Sequence, residues 1–391
     1  MKKNIKRKLK IAIFCPTEYA TPPSRRMKDI YAPMWLNYYL IEELAKRGHN
    51  LWVFAPSDSN IKTKLISNGL ISLVRNRKLK PFYQQVTEIR KEELRLKMCE
   101  RREVIINYDY LLLSKLSKTA LTRKFDIVYV ANALRFLPFI AICPTPAIFT
   151  LHSPISRFRK FFYKEYKKRY PHIYFTALSK SHAKPEPKLF SAIVNNGIET
   201  KNFKFNKKPD DYLLVVGRIA KEKGISTAIK IAKAAKKKLV IVGRKTEDEY
   251  WYKKVKPYIG KDIKFAGLVP YYEMPKFYKN AKALLFPISW EEPFGLVMIE
   301  AMACGTPVIA FKRASVPEVV RDKVTGFICK PNNLNSMTKA VKKIYQMPET
   351  EYRKMRYNCR KHVEENFTIE KMVDGYEKVF YKILARQKKI K

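Results

Sequence analysis

Three stretches of this sequence carry side chains whose type and spacing suit chemistry on a phosphorylated ligand. The first is Gly217-Arg218-Ile219-Ala220-Lys221-Glu222-Lys223-Gly224, placed where a short apolar run hands over to a longer periodic one. Arg218 offers a planar fork for two phosphate oxygens and Lys223 a compact point charge, so the pair suits a departing diphosphate. A solvated basic turn is the plainer alternative. The second stretch is Ser289-Trp290-Glu291-Glu292-Pro293-Phe294-Gly295-Leu296-Val297-Met298-Ile299-Glu300. Pro293 suits the first turn of a helix, and a helix beginning there turns the free N–H groups of Phe294, Gly295 and Leu296 toward an oxyanion or a sugar hydroxyl.

In such a helix Glu292 and Glu300, eight apart, share a face with a rise of ~12 Å between them. That exceeds the ~5–9.5 Å of hydrolase carboxylate pairs, so two hydroxyl groups on one long ligand fit better than a shared acid–base role. A nucleotide sugar is such a ligand, with a hexose, a ribose and a diphosphate between them. The third stretch, Phe149-Thr150-Leu151-His152-Ser153-Pro154, ends an apolar strand and offers one imidazole. A neutral ring there suits a bond to a sugar hydroxyl, although a lone histidine at a strand end fits a structural role equally.

These residues need strand ends to hold them, and the hydropathy supplies the strands. Short β-branched and aromatic runs at 10–14, 51–54, 126–130, 147–151, 173–177 and 192–194 alternate with longer periodic ones such as Trp35 to Arg47. The rhythm restarts at 212–216, 239–242, 263–266, 283–287 and 308–311, with a helix over Ile225 to Lys237. Near-continuous apolar strands predict parallel sheets covered on both faces. The fold class expected is therefore α/β, two doubly wound domains facing a cleft. A polar stretch from Glu199 to Asp211 separates them, giving domains at 1–200 and 211–370. The end of the chain reads as helices at 334–347, 351–366 and 369–388, with 371–391 crossing back to the first domain. Open parallel sheets bind ligands beyond the carboxyl ends of their strands, which places the ligand between the two domains.

The 391 residues hold 80 Lys+Arg against 35 Asp+Glu, a formal +45, with 46% hydrophobic and 13% aromatic residues. Such a chain has enough apolar material for sizeable cores, which excludes a disordered polymer. Its charge favours polyanionic partners. The six cysteines and five histidines are scattered without metal-ligand spacing, which predicts reduced thiols, no metal and a cytoplasmic setting. The basic start lacks a long apolar run behind it, and the longest apolar stretch, Phe136 to Leu151, is broken by three prolines. Neither a leader nor a membrane span is expected. The segment Arg157 to Tyr170 interleaves cations with Phe158, Phe161, Phe162 and Tyr166 at helical spacing. It reads either as an anchor on an anionic membrane surface or as a helix packed on its own sheet.

Taken together, these residues resemble glycosyltransferase family four, the retaining GT-B enzymes with a glycogen-synthase-like second domain. The resemblance rests on Arg47-Gly48-His49, Asn196-Gly197-Ile198-Glu199, Gly217 to Gly224, Glu292 to Glu300, Glu300 to Ile309, Ser315-Val316-Pro317-Glu318 and Thr325-Gly326-Phe327. It implies a GT-B fold and transfer of a hexosyl group from a nucleoside-diphosphate sugar to a glycan or lipid-linked acceptor, with retained configuration, no cofactor and no metal. By position, Arg218 and Lys223 hold the diphosphate, Glu292 and the amides after it the sugar, and Glu300 the ribose. His152 stands beside the reacting carbon. The family's first loop usually has paired glycines, whereas Cys15 to Ile30 contains none; Arg25 or Arg26 is expected to reach phosphate in their place. That departure motivates the alternative of a non-catalytic GT-B scaffold that binds the donor. A basic nucleic-acid-binding protein is the remaining rival, opposed by diffuse charge and the lack of a recognition motif.

Overall fold

The computed structural model describes residues 7–24, 32–79, 82, 91–131, 134–246 and 248–387. Among the described residues thirteen strands form two sheets, and every strand pairing is parallel. The first sheet contains β1 (Lys10–Phe14), β2 (Asn50–Phe54), β3 (Lys64–Ile66), β4 (Ile127–Val130), β5 (Ala147–Thr150), β6 (Ile173–Ala177) and β7 (Phe190–Ile193), in the order 3-2-1-4-5-6-7. The second contains β8 (Leu213–Val216), β9 (Leu239–Val242), β10 (Ile263–Gly267), β11 (Ala283–Phe286), β12 (Val308–Phe311) and β13 (Gly326–Cys329), in the order 10-9-8-11-12-13. Strand order reverses beside β1 in one sheet and beside β8 in the other, so each has a switch point where a crevice opens.

The longer helices are α1 (Ala32–Lys46), α2 (Lys91–Thr122), α3 (Arg157–Arg169), α4 (Ile225–Ala235), α5 (Leu296–Ala303), α6 (Leu334–Gln346), α7 (Glu349–Asn366) and α8 (Ile369–Gln387). Each sheet is buried on both faces because alternate side chains of its strands point to opposite sides. In β1, Ile11 and Ile13 join the core under α1 and α8, while Ala12 and Phe14 face the core that Leu112 and Leu116 of α2 complete. In β8, Leu213 and Val215 meet α4 and α6, while Leu214 and Val216 meet α5 and α7. No helix among the described residues is long and apolar enough to cross a membrane.

The polar segment between the sheets is firmly held. The fully buried Arg356 of α7 donates to the carbonyl of Asn206 through Nε (3.2 Å) and Nη2 (2.7 Å), and Arg360 Nη1 donates to that of Phe203 (2.6 Å). The chain crosses back between α7 and α8, where Ile198 N–H donates to Phe367 C=O (2.9 Å). Beyond that crossing, α8 lies on the first sheet: Ile369, Val373, Tyr376 and Phe380 share a core with Ile11, Leu40 and Ile127. The motif Arg47-Gly48-His49 secures it. Arg47 Nη1 reaches Asp374 Oδ1 (2.8 Å) and also pairs with Glu377, and His49 Nε2 lies 2.8 Å from Glu377 Oε1.

One local expectation fails with consequences for the site. The helix after β11 begins at Leu296 rather than Pro293, because Gly295, its N-cap, sits at φ +83°, ψ 66° and the helical ladder cannot run through it. Glu292 therefore stands in the loop before the helix, and the helical spacing inferred between it and Glu300 does not exist.

Candidate functional site

The two sheets face each other across a cavity of about 480 Å³. His152, Leu178, Asn196, Pro33 and Leu36 line it from the first lobe; Gly217, Arg218, Lys223, Gly243, Arg244 and the segment Glu292 to Val297 line it from the second. The carboxyl ends of β8 and β9 build the second wall. Their register pairs Val216 with Val242, which puts the two Gly-Arg pairs that follow side by side. The glycines permit this contact: a Cβ on Gly243 would lie 1.8 Å from the carbonyl oxygen of Gly217. Ile219 N–H then donates to the carbonyl of Arg244 (2.8 Å), so both arginines leave the sheet at the same rim.

Lys223 is largely buried beneath that rim. Its Nζ lies 2.7 Å from Glu292 Oε2 and 4.2 Å from the centroid of the Trp290 ring. Arg218 Nη2 meets Glu222 Oε1 at 2.8 Å and is half exposed. The loop carrying Glu292 is pinned from both lobes, since Ser179 Oγ donates to Pro293 C=O (2.7 Å) and Ser315 Oγ to Phe294 C=O (2.8 Å). Such pinning fixes the amides of Gly295, Leu296 and Val297, which open helix α5 without intrahelical acceptors.

Across the cavity, His152 Nε2 is buried and has no hydrogen-bond partner among the described residues. Burial lowers its pKa to about 4, and His182 adds to the shift. His182, similarly lowered by burial to about 4, accepts from Leu178 N–H at Nδ1 (3.3 Å), so its Nε2–H donates to Ser153 C=O at 3.0 Å. Both rings are neutral at pH 7. Between about pH 6.5 and pH 4 the unfolded chain protonates these rings while the folded chain does not, so their contribution to stability is intact at pH 7 and declines on acidification through that window. The Cε1–H resonance of His152 is expected to titrate near pH 4; a midpoint near 6.5 contradicts the buried, unpaired ring.

Glu300 is the candidate that stands apart. It is 5% exposed and does not line the cavity; its Oε2 accepts from Tyr278 (2.7 Å) and its Oε1 from Tyr271 (3.2 Å). Burial pushes its carboxyl up, and the two phenols offset this only in part. The Tyr271 ring in turn stacks on Trp35 of α1, centroids 5.7 Å apart, across the lobe boundary. Arg25 and Arg26 lie outside the described residues. No cluster of potential metal ligands occurs among the described residues.

Gly243 and Arg244 are wall residues that the sequence alone does not single out. Their signal was present as a repeat: Val215-Val216-Gly217-Arg218 and Ile241-Val242-Gly243-Arg244 close adjacent strands with the same ending.

The chain has known relatives. The arrangement of the two lobes is the GT-B fold, which solved structures share. Sucrose-phosphate synthase from Thermosynechococcus elongatus superposes with a TM-score of 0.72 at 19% identity, covering 97% of this chain and all of that one. Anabaena HepE, solved with UDP and glucose, gives 0.66 at 16% identity, covering 96% and 100%. Among curated proteins, N-acetyl-alpha-D-glucosaminyl L-malate synthase of Bacillus anthracis is 34% identical over 105 residues, 27% of each chain. The chain spans about half or less of the length of the curated relatives it matches. Residues 36–185 match the model of Glycosyltransferase Family 4, and residues 197–362 match that of Glycosyl transferases group 1. With the first lobe carrying one signature and the second lobe the other, in that order, the chain belongs to glycosyltransferase family four.

Proposed function

We propose that the protein transfers a hexosyl group from a nucleoside-diphosphate sugar to a glycan or lipid-linked acceptor, with retention of configuration and without a metal. One observation carries this reading: cations at adjacent strand ends of one lobe face an unpartnered neutral imidazole on the other across a single cavity. The diphosphate lies along Gly217 to Lys223, the sugar at Glu292 and the first amides of α5, and its hydroxyls reach His152. The acceptor oxygen attacks the anomeric carbon from the side on which the diphosphate leaves. As the bond to the diphosphate breaks, a diphosphate oxygen takes the acceptor's proton and Arg218 and Lys223 hold the developing negative charge. Glu300 does not line the cavity, so in this reading it meets the ribose where the donor extends past the wall toward Tyr271 and Tyr278. The division into lobes of residues 1–200 and 211–370, with 371–391 returning, belongs to the same reading, as does a cytoplasmic setting, which the six free thiols fit.

Calorimetric titration with UDP, GDP and ADP and their glucose conjugates tests it, followed by assay of transfer in the presence of a chelator. Heat with one nucleotide series and chelator-resistant turnover are expected. Binding without turnover points to the scaffold alternative, and no heat with any of them rejects the donor site. Arg244→Ala should weaken binding of the nucleoside diphosphate on the order of tenfold, the worth of a charge-assisted bond. Unchanged affinity removes Arg244 from the site.

A further inference from the structure

Helix α3 (Arg157–Arg169) begins five residues after His152, and of its own side chains only Tyr163 is fully buried. Phe158 and Phe161 are 63% and 61% exposed, and Phe162 is 36% exposed. They form one cluster on the outer face, with Phe162 4.9 Å from Phe158 and 5.3 Å from Phe161 between ring centroids. Phenylalanine is ordinarily among the most buried residue types, so three exposed rings in mutual contact mark an interaction surface.

The inward lysines of the helix are taken up by the protein itself. Lys160 Nζ meets Glu186 Oε2 (2.8 Å), and Lys167 Nζ donates to the carbonyls of Lys188 and Leu189 (2.7 Å each). These bonds hold the 184–189 segment alongside the helix. The outward cations of the helix differ: Arg157 and Lys168, four residues before and seven after Phe161 and so on its flank, are exposed and have no carboxylate partner among the described residues. An apolar cluster edged by unpaired cations complements an anionic lipid surface in both of its layers.

We propose that this face of α3 docks on an anionic phospholipid bilayer, with the three phenylalanine rings at the boundary of headgroups and acyl chains and the cations Arg157 and Lys168 against the phosphates. The helix follows directly from the strand end that carries His152, and the intervening link is fixed by the bond from His182 to Ser153 C=O. Docking therefore brings the first-lobe rim of the cleft to the bilayer, where a lipid-linked acceptor arrives by lateral diffusion. That consequence rests on the proposed transfer reaction, whereas docking itself does not.

Co-sedimentation of the full chain with vesicles of 70% phosphatidylcholine and 30% phosphatidylglycerol, and with pure phosphatidylcholine, tests the surface without nucleotide. Binding to the anionic vesicles alone, weakened by salt, is expected. Replacing Arg157 and Lys168 by Gln should lower the partition coefficient about fivefold for each charge. Phe158→Ser with Phe161→Ser should lower it at least about tenfold. Both variants should keep the thermal midpoint and the nucleoside-diphosphate calorimetry of the parent, so loss of docking and loss of the donor site are read separately. Wild-type protein left in the supernatant overturns the proposal. So do equal binding to neutral vesicles, variants that sediment like the parent, and a wild-type dimer in analytical ultracentrifugation that Phe158→Ser with Phe161→Ser dissolves.

Discussion

Lys223→Ala is expected to lower kcat by two to three orders of magnitude, equivalent to ~2.7–4 kcal/mol of transition-state stabilisation. Lys223 is largely buried, held against Glu292 and over the Trp290 ring, so its ammonium is positioned before the donor arrives. In the alanine variant the diphosphate charge develops without that cation and beside a carboxylate that has lost its partner. The loss should fall mainly on kcat, because the charge grows as the bond breaks. Release of nucleoside diphosphate at saturating donor measures it. Pairing the change with Glu292→Gln separates two explanations. A lysine that only neutralises Glu292 yields a recovered double variant, whereas a lysine that grips diphosphate yields one as slow as Lys223→Ala. Turnover near that of the parent excludes the role.

Gly224→Ala should cost about 3 kcal/mol or more in stability and abolish donor binding along with it. Gly224 sits at φ +70°, and a Cβ there would fall 2.0 Å from the carbonyl oxygen of Pro287. That oxygen and its carbonyl carbon, 2.8 Å away, are both backbone, so no side chain can move aside to relieve the clash. The same residue ends the loop of Lys223 and starts helix α4, and Ser289 N–H donates to Glu222 C=O (3.0 Å) close by. Pushing the loop away from Pro287 thus also displaces the cation and the loop of Glu292. A fall in thermal midpoint of about 5 °C or more is expected. Gly260→Ala, where nothing lies within 4 Å of the added carbon, is the control. Equal behaviour of the two variants contradicts the close packing at Pro287.

Most of the scaffold was legible because doubly covered parallel strands must be apolar along their whole length. Leu239–Val242, Ile173–Ala177 and Val308–Phe311 stand out of the sequence at their observed limits for that reason. β3 did not, being a three-residue edge strand with a lysine at its start, and β13 opens on a glycine. Helix α2 runs for 32 residues that begin in a dense mixture of charges and lack one apolar stripe. Among the residues that line the cavity, Gly217, Arg218, Lys223, Glu292 and His152 stand out of the sequence because each follows a strand end within one short loop. Arg244 required knowing that β8 and β9 are neighbours in register, which twenty-odd intervening residues conceal. The surroundings of Glu300 were equally hidden. Burial between Tyr271 and Tyr278 depends on how two separate segments pack, and no local pattern announces it.

Helix α8 has a consequence for biosynthesis. Ile369, Val373, Tyr376 and Phe380 close a face of the first sheet that the remaining chain leaves apolar. During vectorial synthesis the first lobe emerges early yet stays unfinished until these late residues clear the ribosome, while the second lobe is already able to form. The part made first is the last to mature. A nascent chain stalled near residue 366 would present sticky strands to chaperones, and the amino-terminal half produced by itself would aggregate.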